Sequence, residues 1–307
     1  MPPLVSIVVP SFNQGRFLAE ALESLLAQDY PQLELLVADG GSTDDSREVI
    51  DRFADRLAWW SSEPDGGQAN GLNRAFDHAT GELLGWLNAD DTLIAGAVSA
   101  AVDALDRNPD ALLVYGDAIF VDESGNEKGR FHAEEMNVRE MMRRCEDRIV
   151  QPGSLFRRSV WEEVGPLNGY FALDFELVAR IGMRGRAIRL DRPLATYRLH
   201  DTSKSTSHPE RAGADFIAMY DRFFARDDVT PEVRAVEAEA RSKAYLTGGE
   251  LLYAGLEMRP ARAAFLRALR SHRSRVRLRT LVLIGKTFLP RAVVARLRNA
   301  HAAIGGQ

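Results

Sequence analysis

A single cysteine, Cys145, excludes an intramolecular disulfide. No apolar run approaches the roughly 20 residues that a helix needs to cross a bilayer. Met1-Pro2-Pro3 leads straight into a strand-like run, with no basic region ahead of a long apolar one, so no secretory signal is expected and a cytosolic enzyme is the simple reading. No Gly-x-Gly-x-x-Gly follows that first run, which leaves a dinucleotide fold without its fingerprint. Gly285-Lys286-Thr287 imitates the end of a phosphate loop, but Thr280 stands where the leading Gly belongs. Acidic residues are absent beyond Glu257, although the whole chain of 307 residues carries a net charge of -5.

What is present first is a repeat of strand, polar turn and amphipathic helix, the signature of an α/β fold. Leu4 to Val9 reads as a strand ended by Pro10-Ser11-Phe12-Asn13-Gln14-Gly15. The helix behind it carries Phe17, Leu18, Ala21, Leu22, Leu25 and Leu26 on one face. Leu33 to Ala38 is a second strand, with Asp39 to Ser46 as its turn and a helix marked by Val49, Ile50, Phe53 and Leu57. Leu57 to Ser61 reads as a third strand, Ala69 to Ala79 as a helix and Leu83 to Leu87 as a fourth strand. Tyr115 to Phe131 has the pattern of a hairpin turning at Glu123-Ser124-Gly125-Asn126, which gives the sheet a mixed character. In an open parallel sheet, ligands bind beyond the carboxyl ends of the strands, so the polar turns are expected to converge on one site.

The fourth strand runs directly into Asn88-Ala89-Asp90-Asp91. Two adjacent carboxylates at a strand tip repel each other unless they are solvated or hold a cation. Hard Mg2+ or Mn2+ ions suit such oxygens and share them with substrate phosphates, which points to a phosphorylated donor. The alternative is that both residues cap the helix starting near Ala95. A phosphatase-type Asp-x-Asp-x-Thr is excluded because Asn88 stands where its nucleophile belongs.

Four ordered segments carry a family resemblance. Val5-Ser6-Ile7-Val8-Val9-Pro10-Ser11-Phe12-Asn13, Asp39-Gly40-Gly41-Ser42-Thr43-Asp44, Glu63-Pro64-Asp65-Gly66-Gly67 and Leu87-Asn88-Ala89-Asp90-Asp91 together resemble the family 2 glycosyltransferases of the GT-A fold, of the type that builds bacterial cell-surface polysaccharides. The resemblance covers about residues 4 to 205 and includes Gln151-Pro152-Gly153, Arg157-Arg158 and Asp174-Phe175-Glu176-Leu177. It implies a mixed, mostly parallel sheet flanked by helices. It also implies transfer of a hexose-type sugar from a nucleotide diphosphate donor, with inversion and with Mn2+ or Mg2+ as cofactor. On this reading residues 1–207 form the catalytic domain and 208–307 a helical, basic C-terminal extension.

Carried over by position, the resemblance places Pro10, Ser11 and Asn13 beneath the nucleotide, and Asp39 as acceptor of a hydrogen bond from the base, usually uracil. Gly40 departs from the second Asp that many members have there. The resemblance puts Asp65, Gln68 and Asn73 along the donor pocket, Asn88 and Ala89 in the metal motif, and Asp90 at its last Asp, as metal ligand. It makes Asp174 the base for the acceptor hydroxyl, with Leu173 in place of the common Glu and Glu176 as runner-up. Tyr197-Arg198-Leu199-His200 resembles the family's Tyr-Arg-x-His, which implies that His200 reaches the metal or diphosphate and Arg198 the phosphate oxygens. Ser203 to Ser207 reads as a loop that orders over a bound donor, or as a linker. Gln151, Trp161 and Glu176 fall in the acceptor region. Each has a plainer reading: Asp39 begins an Asx-type bend, Asp174 caps a helix, Trp161 packs in the core as Trp59, Trp60 and Trp86 do, and His200 is a packed residue.

From Met258 onward there are eleven Arg and one Lys, so the tail carries +12 and the rest of the chain -17. Apolar residues interleave with these cations, among them Leu281-Val282-Leu283-Ile284 and Phe288-Leu289. That pattern points to residues 258–307 as an interfacial anchor on an anionic membrane, which would bring a cytoplasmic enzyme to the inner face of the cell membrane and a glycan or lipid-linked acceptor. Otherwise the Arg side chains pair with the acidic part of the chain or with a second copy in a homodimer. Nucleic acid is not expected, because no recognition motif accompanies the charge. Two further alternatives are a non-catalytic sugar-nucleotide scaffold and a sugar nucleotidyltransferase, but the second lacks a Gly-rich basic loop after its first strand.

Overall fold

The computed structural model describes residues 2–146, 148–169, 171–201, 208–272, 278–291, 293 and 294. The stretch from Ser203 to Ser207 lies outside them. Two compact units form. The first comprises Met1–Val138, Asp147–Asn168 and Leu173–His200, and the second Arg139–Glu146, Gly169–Ala172 and Asp201–Gln307. The division is therefore not a single cut near residue 207, since two short segments from earlier in the chain pack with the C-terminal helices.

The first unit is built on one sheet of nine strands: β1 (Val5–Ser11), β2 (Leu33–Asp39), β3 (Trp59–Ser62), β4 (Leu83–Trp86), β5 (Thr92–Leu93), β6 (Ala111–Val121), β7 (Glu127–Phe131), β8 (Leu155–Arg157) and β9 (Arg186–Arg198). The order is β3-β2-β1-β4-β8-β6-β9-β5, with β7 paired to β6. The pairs β3-β2, β2-β1, β1-β4 and β6-β9 are parallel, whereas β8 runs antiparallel between β4 and β6. The expected hairpin is β6-β7, also antiparallel.

β1 is buried along its whole length because it is central and covered on both faces. Pro10 is tolerated there because pairing with β4 ends at Val8, so the proline lies past the doubly paired part of the strand. Alternation sends Val5, Ile7 and Val9, with Leu35 and Val37, to one face. There they pack with α1 (Gly15–Leu26), α2 (Ser46–Phe53) and α4 (Ala97–Asp106). The opposite face holds an aromatic cluster of Phe76 from α3 (Gln68–His78), Trp86 from β4, Phe156 from β8 and Trp161 from α6 (Arg158–Val164). Trp59 and Trp60 depart from the expected burial. They are half-buried because β3 is an edge strand, where Trp59 stacks on His78 and Arg47 lies over Trp60.

The second unit is helical. It contains most of α5 (Val138–Arg144), then α8 (Pro209–Ala225), α9 (Pro231–Arg234), α10 (Glu237–Ala254), α11 (Met258–Ser271) and α12 (Leu278–Lys286); α7 (Leu173–Gly182) belongs to the first unit. α8 and α10 cross at Gly213 and Gly248, where a Cβ on either glycine would lie 2.6 or 2.7 Å from the other's carbonyl oxygen. Only glycine permits that approach. α11 turns Ala261, Ala264, Phe265 and Ala268 into the core of this unit, so that face of the basic tail is packing surface.

Candidate functional site

The polar turns at the carboxyl ends of β1, β2, β3 and β4 do converge. Ser11 pairs with Asp39 and Asp39 with Ser62, so three strand ends lie side by side. Asn13 adopts the left-handed conformation at φ 53, which Asn tolerates better than most residues. Its N–H donates to Ser42 Oγ at 2.7 Å, and its Oδ1 accepts from the Thr43 N–H at 2.8 Å, tying the first turn to the second. Asp44 accepts from the Gly15 N–H at 2.9 Å and from Ser46 Oγ at 2.6 Å. Desolvation works against its charge, but these bonds outweigh it and hold the Asp44 carboxyl below its usual range.

Asp39 is 0% exposed. Its Oδ2 accepts from the Ser42 N–H at 3.0 Å and from Ser62 Oγ at 2.8 Å, and its Oδ1 accepts from Ser42 Oγ. The Asp-x-x-Ser spacing is the signal that reveals the Ser42 bond, an Asx-type turn, whereas nothing local reveals Ser62. The buried Ser11 hydroxyl has no partner among the described residues. Asp65 sits in the turn before α3, where its Oδ1 accepts from the Gly67 N–H at 2.7 Å.

After β4, Gln68 Nε2 donates to Asn88 Oδ1 at 2.9 Å, and Asn88 Nδ2 donates to Asp91 Oδ2 at 3.3 Å. The two carboxylates that follow differ sharply. Asp91 is buried and accepts from the Arg198 N–H at 2.9 Å, and burial, then the neighbouring Asp90 charge, pushes its carboxyl well above the usual range. Asp90 remains partly exposed, with Oδ2 2.9 Å from His200 Nε2. His200 is packed against the Phe17 ring, and its Nδ1 lies 3.4 Å from Arg16 Nη2. Sequence reasoning did not single out Arg16, because nothing in the first turn of α1 marks it as a site residue.

Asp90 and His200 offer a divalent cation one carboxylate oxygen and one imidazole nitrogen, a mixed donor set that suits Mn2+ better than all-oxygen Mg2+. Among the described residues no group of three His, Cys, Asp or Glu side chains assembles, and a diphosphate and water are the kind of oxygen ligands that complete such a site.

Other expected positions are held in different ways. Arg198 is buried. It donates to the carbonyls of Asp90 at 2.9 Å, Asp122 at 3.2 Å and Glu123 at 3.1 Å, and it pairs with Glu20 at 2.7 Å, so it braces loops instead of presenting its guanidinium to phosphate oxygens. Asn73 brackets the backbone of Leu167, donating to its carbonyl at 3.0 Å and accepting from its N–H at 2.9 Å. Gln151 is buried and donates to the Trp86 carbonyl at 2.7 Å. Trp161 lies in the aromatic cluster, 4.8 Å from Phe76, and Glu176 is buried in α7. Pro10 and Ala89 are buried backbone neighbours of the site. Asp174 stands part-exposed in the first turn of α7, where its Oδ1 accepts from the Phe175 N–H at 3.0 Å.

Comparison with known proteins follows the same lines. The family model "Glycosyl transferase family 2" matches residues 6–165, just over half of the chain. The glycosyltransferase GlyG of Streptococcus pneumoniae serotype 4 is 31% identical over 156 residues, 47% of this chain and 50% of that protein. A PGL/p-HBAD biosynthesis glycosyltransferase of Mycobacterium bovis is 31% identical over 170 residues, 54% of this chain and 64% of its own. The chain thus spans less than two-thirds of these curated relatives. Among solved structures, S. aureus TarS 1-349 in complex with UDP-GlcNAc superposes with a TM-score of 0.66 at 16% identity, covering 92% of this chain and 84% of that one. The mannosyltransferase PcManGT from Pyrobaculum calidifontis, in complex with GDP-Man and Mn2+, gives 0.58 at 21% identity, covering 93% and 79%. At such identities the likeness is one of fold.

Proposed function

Because the chain belongs to glycosyltransferase family 2 and has the GT-A fold, we propose that it transfers a sugar, with inversion, from a nucleotide diphosphate donor to a glycan or lipid-linked acceptor of the cell surface. UDP-sugar is the leading donor on this reading. The observation that carries it is the Asp90–His200 pair at 2.9 Å, set just beyond β4 beside the turns of β1 and β2. The acceptor oxygen attacks the anomeric carbon from the face opposite the diphosphate. The new C–O bond forms as the bond to the diphosphate oxygen breaks, and the hydroxyl proton passes to the Asp174 carboxylate. A divalent ion held by Asp90 and His200 would supply Lewis-acid stabilisation of charge on the leaving diphosphate. On this reading Asn88, whose Oδ1 accepts from Gln68 at 2.9 Å, hydrogen-bonds a ribose hydroxyl.

Thermal unfolding of the whole chain with a panel of nucleoside diphosphates, in Mn2+ and in EDTA, tests this. Ligands that bind only the folded state stabilise it by mass action, by about 2.7 kcal/mol at a hundredfold excess over Kd, and so raise Tm. The expected result is a rise with one diphosphate that EDTA abolishes. No rise across the panel overturns the donor reading.

The second unit supports the membrane reading at a narrower place than residues 258–307. Among the described residues no helix is long and apolar enough to cross a membrane. On and after α12, however, Leu278, Leu281, Val282, Phe288, Leu289 and Val293 are exposed, with Phe288 at 68%. Arg279, Lys286 and Arg291 lie between them, although Arg279 is 3.8 Å from Glu250 and Arg291 3.2 Å from Glu257. An apolar face rimmed by cations fits an anionic lipid surface. Leu281→Glu with Val282→Glu should at least halve sedimentation with phosphatidylglycerol vesicles; unchanged sedimentation removes this face as the anchor. Deleting residues 258–307 would be a poor test, because it removes core residues of α11.

A further inference from the structure

We propose that Asp65, and not Asp39, reads the edge of the nucleobase, and that it selects a base presenting a ring N–H, as uracil and guanine do, over cytosine and adenine. The inference rests on the donor reading above and names the part of the donor that one residue recognises.

Asp39 is closed to a ligand. Its carboxylate is fully buried and already accepts three hydrogen bonds, from Ser42 N–H, Ser42 Oγ and Ser62 Oγ. A base could reach it only by displacing a serine. Asp65 is the carboxylate that stands over this strand end. A Cβ on Gly40, the residue directly after Asp39, would lie 3.2 Å from Asp65 Oδ1 and 3.3 Å from its Oδ2. A Cβ on Gly71 would lie 2.4 Å from Oδ2. Two glycines, one after β2 and one on α3, thus clear the space that the Asp65 carboxylate fills. The same strand end carries the buried Ser11 hydroxyl that lacks a partner among the described residues, and the Gly40 N–H donates to the Ser11 carbonyl at 2.9 Å.

The chemistry of the two oxygens follows from their surroundings. Oδ1 is occupied by the Gly67 N–H at 2.7 Å, while Oδ2 accepts from no donor among the described residues on a side chain that remains part-exposed. A free carboxylate oxygen only accepts. It therefore welcomes the N3–H of uracil or the N1–H of guanine, and it repels the lone pair that cytosine N3 or adenine N1 presents at the equivalent edge. Such a charge-assisted hydrogen bond corresponds to roughly tenfold or more in affinity.

Asparagine at this position makes a sharp test. The Gly67 N–H needs an acceptor, which fixes the amide oxygen of Asp65→Asn at the Oδ1 place and puts the NH2 where Oδ2 was. The variant presents a donor in place of an acceptor. Titration calorimetry of the full chain with UDP, GDP, CDP and ADP in Mn2+ should show UDP or GDP bound about tenfold or more above CDP and ADP by the wild type. Asp65→Asn should lose that preference and move it toward CDP or ADP. Asp65→Ala should weaken the preferred nucleotide without favouring another. Glu63→Gln, on an exposed neighbour paired with Arg74, should change neither ranking. Selective wild-type binding that neither Asp65 variant alters overturns the inference alone, whereas a wild type that binds none of the four overturns the donor reading and the inference with it.

Discussion

Asp174→Asn is expected to lower the turnover of sugar transfer by about 10²–10⁴-fold, the usual contribution of a positioned general base, while the Kd for the nucleotide stays within about twofold of wild type. The substitution separates the proton acceptor from a hydrogen bond that this side chain also makes. Asp174 Oδ1 accepts from the Phe175 N–H in the first turn of α7, and the amide oxygen of asparagine preserves that bond. That bond should therefore be kept, whereas Asp174→Ala would also forfeit it. Steady-state transfer assays beside nucleotide titration separate the effects. Lost folding or lost nucleotide binding in Asp174→Asn would make the residue structural, and full turnover would remove it as the base.

The second large effect is at Asp90. Asp90→Asn should abolish the dependence of nucleotide binding on Mn2+ and cut transfer by about 10³-fold or more, because metal stabilisation of a leaving diphosphate is a matter of several kcal/mol and each 1.4 kcal/mol is tenfold. The amide oxygen can still accept from His200, so the 2.9 Å contact and the fold survive the change. Asp91 is not its equivalent despite being adjacent. It is buried beneath the Arg198 N–H and the Asn88 amide, where burial and the charge of Asp90 raise its carboxyl well above the ordinary value. Unchanged manganese dependence in Asp90→Asn, read by titration with and without EDTA, would refute the assignment.

Much of the fold was legible in the chain because burial on both faces leaves long β-branched and Leu runs. Leu33 to Ala38 and Leu83 to Leu87 each differ by one residue from the observed strands, Leu33–Asp39 and Leu83–Trp86. β5 and β8 were not legible. They have two and three residues, too few for a period to emerge, and they exist through pairing with distant partners. Edge position was also hidden. Trp59 and Trp60 have the composition of a buried strand, and only the sheet order leaves them half-covered.

At the site, the residue types were readable and their engagement was not. Asn73, Gln151 and Arg198 look alike as polar side chains near motifs, yet each is held by a backbone carbonyl lying 94, 65 or 108 residues away along the chain. No local pattern encodes such a partner. Asp39 and Asp65 would have been ranked by motif alone, and their exposure reverses that ranking.

The short pairing of β5 with β9 joins Thr92 to Thr196 by a hydroxyl–hydroxyl bond of 2.7 Å across 104 residues of chain. Asp90 lies two residues before one end of that bridge and His200 four residues after the other. Closing so long a loop is entropically costly and favours late formation, since local strand–helix contacts need no such closure. During synthesis the turns of β1, β2 and β4 can be complete while the imidazole that faces Asp90 has yet to be made. The pair at the heart of the site is thus a product of the last strand of the sheet, and a chain stopped before Arg186 would possess Asp90 without its partner.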